Sequence, residues 1–159
     1  MVYPITPAIR VLREKKVEFE PHVFEYVEKG TKHSPEVLKV DEHPVVKTLI
    51  FETNEKKPLI ILMHGDYEVS TKNLARILNV KTVAPVTPER ANQLTGYLIG
   101  GTSPFGVKTK MPVYAEKTIF DLEKIYINGG KRGFLIAIEP RALRDVLETE
   151  AVEVRQNAD

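Results

Sequence analysis

Two periods of hydrophobic and polar residues alternate along the chain and divide it into short elements. Over residues 45–51 the period is two, so Val45, Lys47, Leu49 and Phe51 fall on one face of a predicted strand. The β-branched and aromatic residues there suit a pleated, half-buried surface. Leu59-Ile60-Ile61-Leu62-Met63 is an unbroken apolar run, the pattern of a strand buried on both faces. A turn over 54–58 joins the two as a hairpin. Residues 124–128 and 133–138 flank Gly129-Gly130 and predict a second hairpin. Shorter strands are expected over 81–84, 111–114 and part of 116–121. Another is expected over 17–24, where Pro21 restricts pairing to an edge or bulge.

Helix starts carry a repeated signal. Thr6-Pro7, Ser34-Pro35 and Thr87-Pro88 each place a capping hydroxyl before a proline suited to the first helical turn. The first predicts a helix ending near Lys16, the second a turn or two over 35–40, and the third a helix stopped at Gly96. His64-Gly65-Asp66 turns the chain. Ser70 or Thr71 then caps a helix with Leu74, Ala75, Ile77 and Leu78 on one side. Pro140 opens a closing helix with Leu143, Val146 and Leu147 inward, and 157–159 read as a frayed tail. Irregular alternation with recurrent hairpins predicts a mixed α/β (α+β) fold, with residues 1–159 as one domain.

Two stretches stand out from this frame. Gly96-Tyr97-Leu98-Ile99-Gly100-Gly101-Thr102-Ser103-Pro104-Phe105-Gly106 holds four of the nine glycines in the chain. Apolar Tyr97, Leu98 and Ile99 predict a buried strand that delivers the loop. The loop is either an ordinary turn or a cradle in which a ligand approaches the main chain. Lys47 shares its face with three apolar side chains. It either guards an exposed edge or reaches into a cleft, where it would need an anion or a lowered pKa.

Composition narrows the chemistry. The 159 residues are 42% hydrophobic and 28% charged, the balance of a soluble globular chain. No apolar run nears the ~20 residues of a membrane span. The N-terminal nine residues, broken by two prolines, do not read as a leader. No cysteine is present, which removes disulfides, thiolate nucleophiles and cysteine metal sites; a cytoplasmic location is expected. Net charge is +1, so nucleic-acid contact would rest on local pairs such as Lys108 with Lys110 and Lys131 with Arg132. For any one of these residues, solvated surface charge is the reading preferred over a nucleic-acid contact. His22, His33, His43 and His64 are scattered without ligand spacing, and neither a metal nor a cofactor is expected. Gly101-Thr102-Ser103-Pro104-Phe105 lacks the final glycine of a nucleophile elbow, and Pro104 lacks the N–H that such an elbow uses. Backbone donors, small hydroxyls and one lysine remain, a set suited to binding and electrostatic stabilisation.

Thr6-Pro7-Ala8, Lys47-Thr48-Leu49, Thr95-Gly96-Tyr97 running into the loop, and Gly129-Gly130-Lys131-Arg132-Gly133 together resemble the YbaK family. These are free-standing relatives of the editing domain of bacterial prolyl-tRNA synthetases, and the likeness runs from about Thr6 to Leu147. The resemblance implies a largely antiparallel, barrel-like mixed sheet surrounded by helices. It also implies hydrolysis of the ester of misacylated tRNA(Pro), with Cys-tRNA(Pro) as the first expected substrate and Ala-tRNA(Pro) the second. Such editing is needed because pocket fit rejects a slightly smaller apolar substrate by only ~1–3 kcal/mol. By the resemblance Lys47 holds the tRNA 3′ end, and Gly101 and Ser103, with Gly100, Thr102 and Pro104, position the ester and terminal ribose. Thr48 and Arg132 enter as further substrate-binding residues. Two departures adjoin the pocket: Phe24 stands where the branch carries tyrosine, and Leu135 where it carries an acid. Both make the pocket more apolar. The implied partners are misacylated tRNA and prolyl-tRNA synthetase, with no DNA and no membrane. A non-catalytic module gripping a tRNA acceptor end is the competing expectation.

Overall fold

The computed structural model describes residues 2–25 and 41–157, so the helix expected after Ser34-Pro35 lies outside it. Helix α1 (Pro7–Glu14) begins as predicted: Thr6 Oγ1 accepts the Ile9 N–H at 3.1 Å, and Ala8, Ile9 and Leu12 turn inward. Strands β1 (Glu20–Val23), β2 (Val45–Thr53), β3 (Pro58–His64) and β4 (Tyr67–Val69) follow. Ser70 caps α2 (Thr71–Leu78), which leads through β5 (Val83–Pro85) to α3 (Pro88–Thr95). Thr87 caps α3, and Gly96 ends it at φ +83°, a conformation that costs glycine little. Strand β6 (Val113–Glu116) runs into a 3₁₀ turn (Lys117–Asp121), then β7 (Ile125–Lys131), β8 (Phe134–Ile138), α4 (Arg141–Leu147), β9 (Glu150–Val152) and β10 (Arg155–Asn157).

Eight strands form one mixed sheet in the order β1-β8-β7-β2-β3-β6-β9, with β5 added beside β2. Four pairings are antiparallel and three parallel. The sheet is open, ending at β1 and β9, so the barrel-like curvature expected of it does not close. β10 pairs separately with β4. Both predicted hairpins form, and β1 lies at the edge that Pro21 implied.

Alternation along β2 and β3 builds a core on each face of the sheet. Val46, Ile50, Ile60 and Leu62 pack with Ile9 and Leu12 of α1 and with Phe105 and Phe134. Phe51, Leu59, Ile61 and Met63 pack on the other side with Leu74 and Ala75 of α2. No helix among the described residues is long and apolar enough to cross a membrane.

Three expectations are corrected. Leu98 and Ile99 are 62% and 59% exposed in a turn, and no strand delivers the loop. Residues 117–121 form the 3₁₀ turn, because Glu116 accepts the Thr118 N–H and curls the chain out of the sheet. Asn157 belongs to β10 and is not a frayed end.

Candidate active site

Register places Lys47 in a row that crosses the sheet. It stands opposite Met63 of β3. On the other side the β2–β7 ladder pairs Val45 with Tyr126 and Val46 with Ile127, ending one residue short of Lys47 and Asn128. Asn128 pairs with Leu135, and Leu135 with His22 of β1. Val45, Tyr126, Leu135 and Ala137 form a small buried cluster with Phe24 against it. By the pleat, Lys47 and Asn128 share that face. The predicted Lys47, Phe24 and Leu135 thus lie on one surface, apolar but for the lysine, the amide and His22. The Phe24 N–H also donates to the Gly133 carbonyl, tying β1 to the second hairpin.

The glycine loop is fastened to this surface through the hairpin tip. Asn128 Nδ2 donates to the Gly100 carbonyl at 3.1 Å, and its Oδ1 accepts the Gly130 and Lys131 N–H groups. Arg132 Nε donates to the Ile99 carbonyl at 2.7 Å. Gly101 packs so closely on the hairpin that a Cβ there would lie 2.8 Å from Arg132 N and 2.9 Å from Lys131 C. Only glycine permits that approach. Beneath the loop, Tyr97 Oη donates to the Phe105 carbonyl at 2.6 Å, and burial pushes this phenol up to about 12. Ser103 is fully buried, its Oγ accepting the Phe105 N–H at 3.2 Å, and Pro104 is buried beside it. Thr102 is half-buried, its hydroxyl 3.4 Å from the Leu98 carbonyl.

The structure therefore gathers Lys47, Gly100, Gly101, Arg132, Leu135 and Phe24 around the second hairpin. Ser103 and Pro104 support the loop from inside. Thr48 points away, towards the face of Val46 and Ile50. Its Oγ1 is shielded from solvent and has no hydrogen-bond partner among the described residues.

Lys47 is half-buried, and its Nζ donates to the Tyr67 carbonyl. Burial pushes its pKa below the ordinary lysine value, against the opposing pull of Glu68, Asp66 and Glu42. This lysine is no edge guard, because β2 is flanked on both sides by β7 and β3.

Sequence reasoning missed Asn128, the residue that bonds both loop and hairpin. Its place before Gly129-Gly130 reads as turn chemistry and hides the long-range bond. It also missed a polar cluster at the β3–β4 turn. His43, His64 and Asp66 bring ligand atoms within 4.8 Å of one another. The two imidazoles stack at 3.8 Å and 9°, so their in-plane lone pairs run parallel and do not converge on a common ion. His64 Nδ1 and Nε2 already engage the His43 carbonyl and Thr118 Oγ1, each at 2.7 Å. The cluster is a hydrogen-bonded network.

Comparison with known proteins adds four findings. A family model described as an aminoacyl-tRNA editing domain matches residues 29–146. A protein of Enterococcus faecalis, EbsC, provisionally named a Cys-tRNA(Pro)/Cys-tRNA(Cys) deacylase, is 27% identical over 151 residues, covering 94% of this chain and 92% of that one. The proline–tRNA ligase of Streptococcus thermophilus is 24% identical over 155 residues, which span 95% of this chain and only 23% of the ligase. A crystal structure provisionally described as a trans-editing enzyme for prolyl-tRNA synthetase shares the fold, with TM-score 0.83, 19% identity, and coverage of 97% of this chain and 100% of that one.

Proposed function

The chain belongs to the aminoacyl-tRNA editing domain family, whose members are aminoacyl-tRNA deacylases, and from that premise we propose that it removes cysteine from misacylated tRNA(Pro). The observation that carries this reading is the pairing of a half-buried lysine with a backbone-lined loop across one apolar surface. A lysine so desolvated favours an anionic partner, and the terminal phosphate of an acceptor end supplies one. Exposed Leu98 and Ile99, held in place by Arg132, offer an aliphatic lip for the last base. The resemblance of the chain to EbsC supports cysteine as the amino acid.

The reaction needs no protein nucleophile. The substrate thiol loses its proton and its sulfur attacks the ester carbonyl carbon. The C–O bond to the ribose then breaks, and the freed ribose oxygen takes up a proton. A four-membered thiolactone leaves and is hydrolysed by water. The protein contributes orientation: Lys47 anchors the 3′ end, Gly100 and Gly101 set the height of the ester, and Phe24, Val45 and Leu135 enclose the small side chain. Such positioning is worth several kcal/mol when it fixes a near-attack geometry. The same apolar cluster also suits alanine, which would require an attacking water and is the second reading. Selection of tRNA(Pro) in cooperation with prolyl-tRNA synthetase belongs to this proposal, supported by the similarity to the ligase insert.

The test is a deacylation panel of tRNA(Pro) charged with Cys, Ala, Ser or Pro. The proposal expects the cysteinyl ester to be lost fastest, alanyl more slowly and prolyl at the buffer rate. Faster loss of the alanyl ester moves the assignment to the second reading. No enzyme-dependent loss of any ester overturns deacylation and leaves an acceptor-end binding module.

A further inference from the structure

The lysine is held by one carbonyl, that of Tyr67 at the start of β4, and the turn that leads into it has its own support. The Gly65 N–H donates to the Val45 carbonyl at 2.6 Å, two residues before Lys47. Asp66 receives His43 Nδ1 at 3.0 Å. Both stacked imidazoles present to the Tyr67 ring at 5.8 Å. Behind His64, Thr118 Oγ1 lies 3.1 Å from Glu116 Oε2. Glu116 is fully buried, and its oxygens also accept the Val154 and Arg155 N–H groups and Arg155 Nη1. Arg155 pairs with Val69 and Asn157 with Tyr67 across β10 and β4, so β10 fixes the strand carrying the carbonyl along one edge.

We propose that His64, backed by Thr118, is a positioning residue for Lys47, fixing the turn whose Tyr67 carbonyl receives the ammonium. The proposal rests on the reading that Lys47 engages substrate.

Proton accounting gives the device two states. The His43 carbonyl can only accept, so His64 Nδ1 carries a proton. Thr118 has one hydroxyl proton to give. If it goes to His64 Nε2, the imidazole is neutral. If it goes to Glu116, Nε2 must carry a second proton and His64 is a cation. Burial pushes the His64 pKa below its ordinary value of 6.5, with the His43 ring acting in the same sense and the His43 carbonyl, Asp66 and Glu116 opposing. The neutral state therefore holds near neutral pH. On acidification a cation appears face to face with His43 and competes for Asp66, one of the three carboxylates, with Glu42 and Glu68, that act on Lys47. Lysine placement weakens with it.

The experiment compares wild type, His64→Asn, Thr118→Val and Thr118→Ser. Asparagine keeps a donor for the His43 carbonyl but neither titrates nor reaches Thr118. At about pH 7.5, kcat for Cys-tRNA(Pro) is expected to fall about tenfold in His64→Asn and Thr118→Val with KM within about twofold, and Thr118→Ser to recover it, as a small misplacement of a positioning group implies. The wild-type advantage over His64→Asn should shrink as the pH falls below 6.5 and the wild type begins to lose the neutral state itself. Lysine 13Cε NMR, assigned with Lys47→Arg, follows the ammonium independently of turnover. Its Lys47 resonance should move in Thr118→Val and return in Thr118→Ser. If the resonance and the kcat ratio stay at wild-type values in folded variants, or serine fails to rescue, the positioning role is overturned. If wild type shows no turnover but the resonance responds as expected, the placement stands and the deacylase reading fails.

Discussion

The two groups proposed to meet the substrate are held by opposite means. The glycine loop is fastened by neutral bonds: Asn128 to Gly100, Tyr97 to Phe105, and Ser103 to its own turn. Its one charged fastener is Arg132, whose Nε donates to the Ile99 carbonyl. The lysine turn is fastened by imidazole and carboxylate side chains, namely His43, His64, Asp66 and Glu116. A cradle proposed to keep one shape for a neutral ester is thus expected to be insensitive to pH. The ammonium proposed to meet an anion lies beside a histidine whose pKa burial lowers.

Two predictions sharpen that contrast, beginning with the larger. Gly101→Ala would force a methyl to 2.8 Å from Arg132 N and lift the loop from the hairpin. Deacylation should fall by about 10²-fold, the scale of an ångström-sized misplacement, and by the same factor at every pH tested. A deficit that varied with pH would show that the loop is coupled to the titrating side after all.

The smaller effect is on stability. The folded-state pKa of His64 lies below 6.5, so the unfolded chain takes up a proton first. Its stabilising contribution is complete above about pH 6.5 and is lost as pH falls towards the folded value. Burial alone would raise the Glu116 pKa, but the Val154 and Thr118 N–H groups and Arg155 outweigh it and hold the carboxyl below 4.5. Its contribution is complete above about pH 4.5 and lost below that. Thermal unfolding should therefore show Tm declining in two acid steps, the first absent in His64→Asn. Equal slopes for the two proteins between pH 7 and 5 would contradict the assignment.

Much of the frame was legible because its signals are local. Thr6-Pro7 and Thr87-Pro88 announced helices through contacts three residues away. The period of β2 placed Lys47 on its observed face, and the apolar run of β3 announced burial on both sides. The missed parts depend on distant partners. Thr118 is 54 residues from His64, and Asn128 is 28 from Gly100, separations that leave no trace in a local period. Strands β4, β9 and β10 have three residues each, too few to show alternation. Leu98 and Ile99 misled for a related reason: apolar residues predict burial only when nothing else recruits them to the surface.

The central claim is that a half-buried lysine, held by the Tyr67 carbonyl, anchors the acylated end. Single-turnover deacylation of Cys-tRNA(Pro) by wild type and Lys47→Ala, with thermal unfolding of both, tests it most directly. Lys47→Ala should lose about 10²-fold or more in rate with Tm unchanged or higher, since the substitution removes a desolvated charge. Wild-type deacylation by a folded Lys47→Ala protein would contradict it.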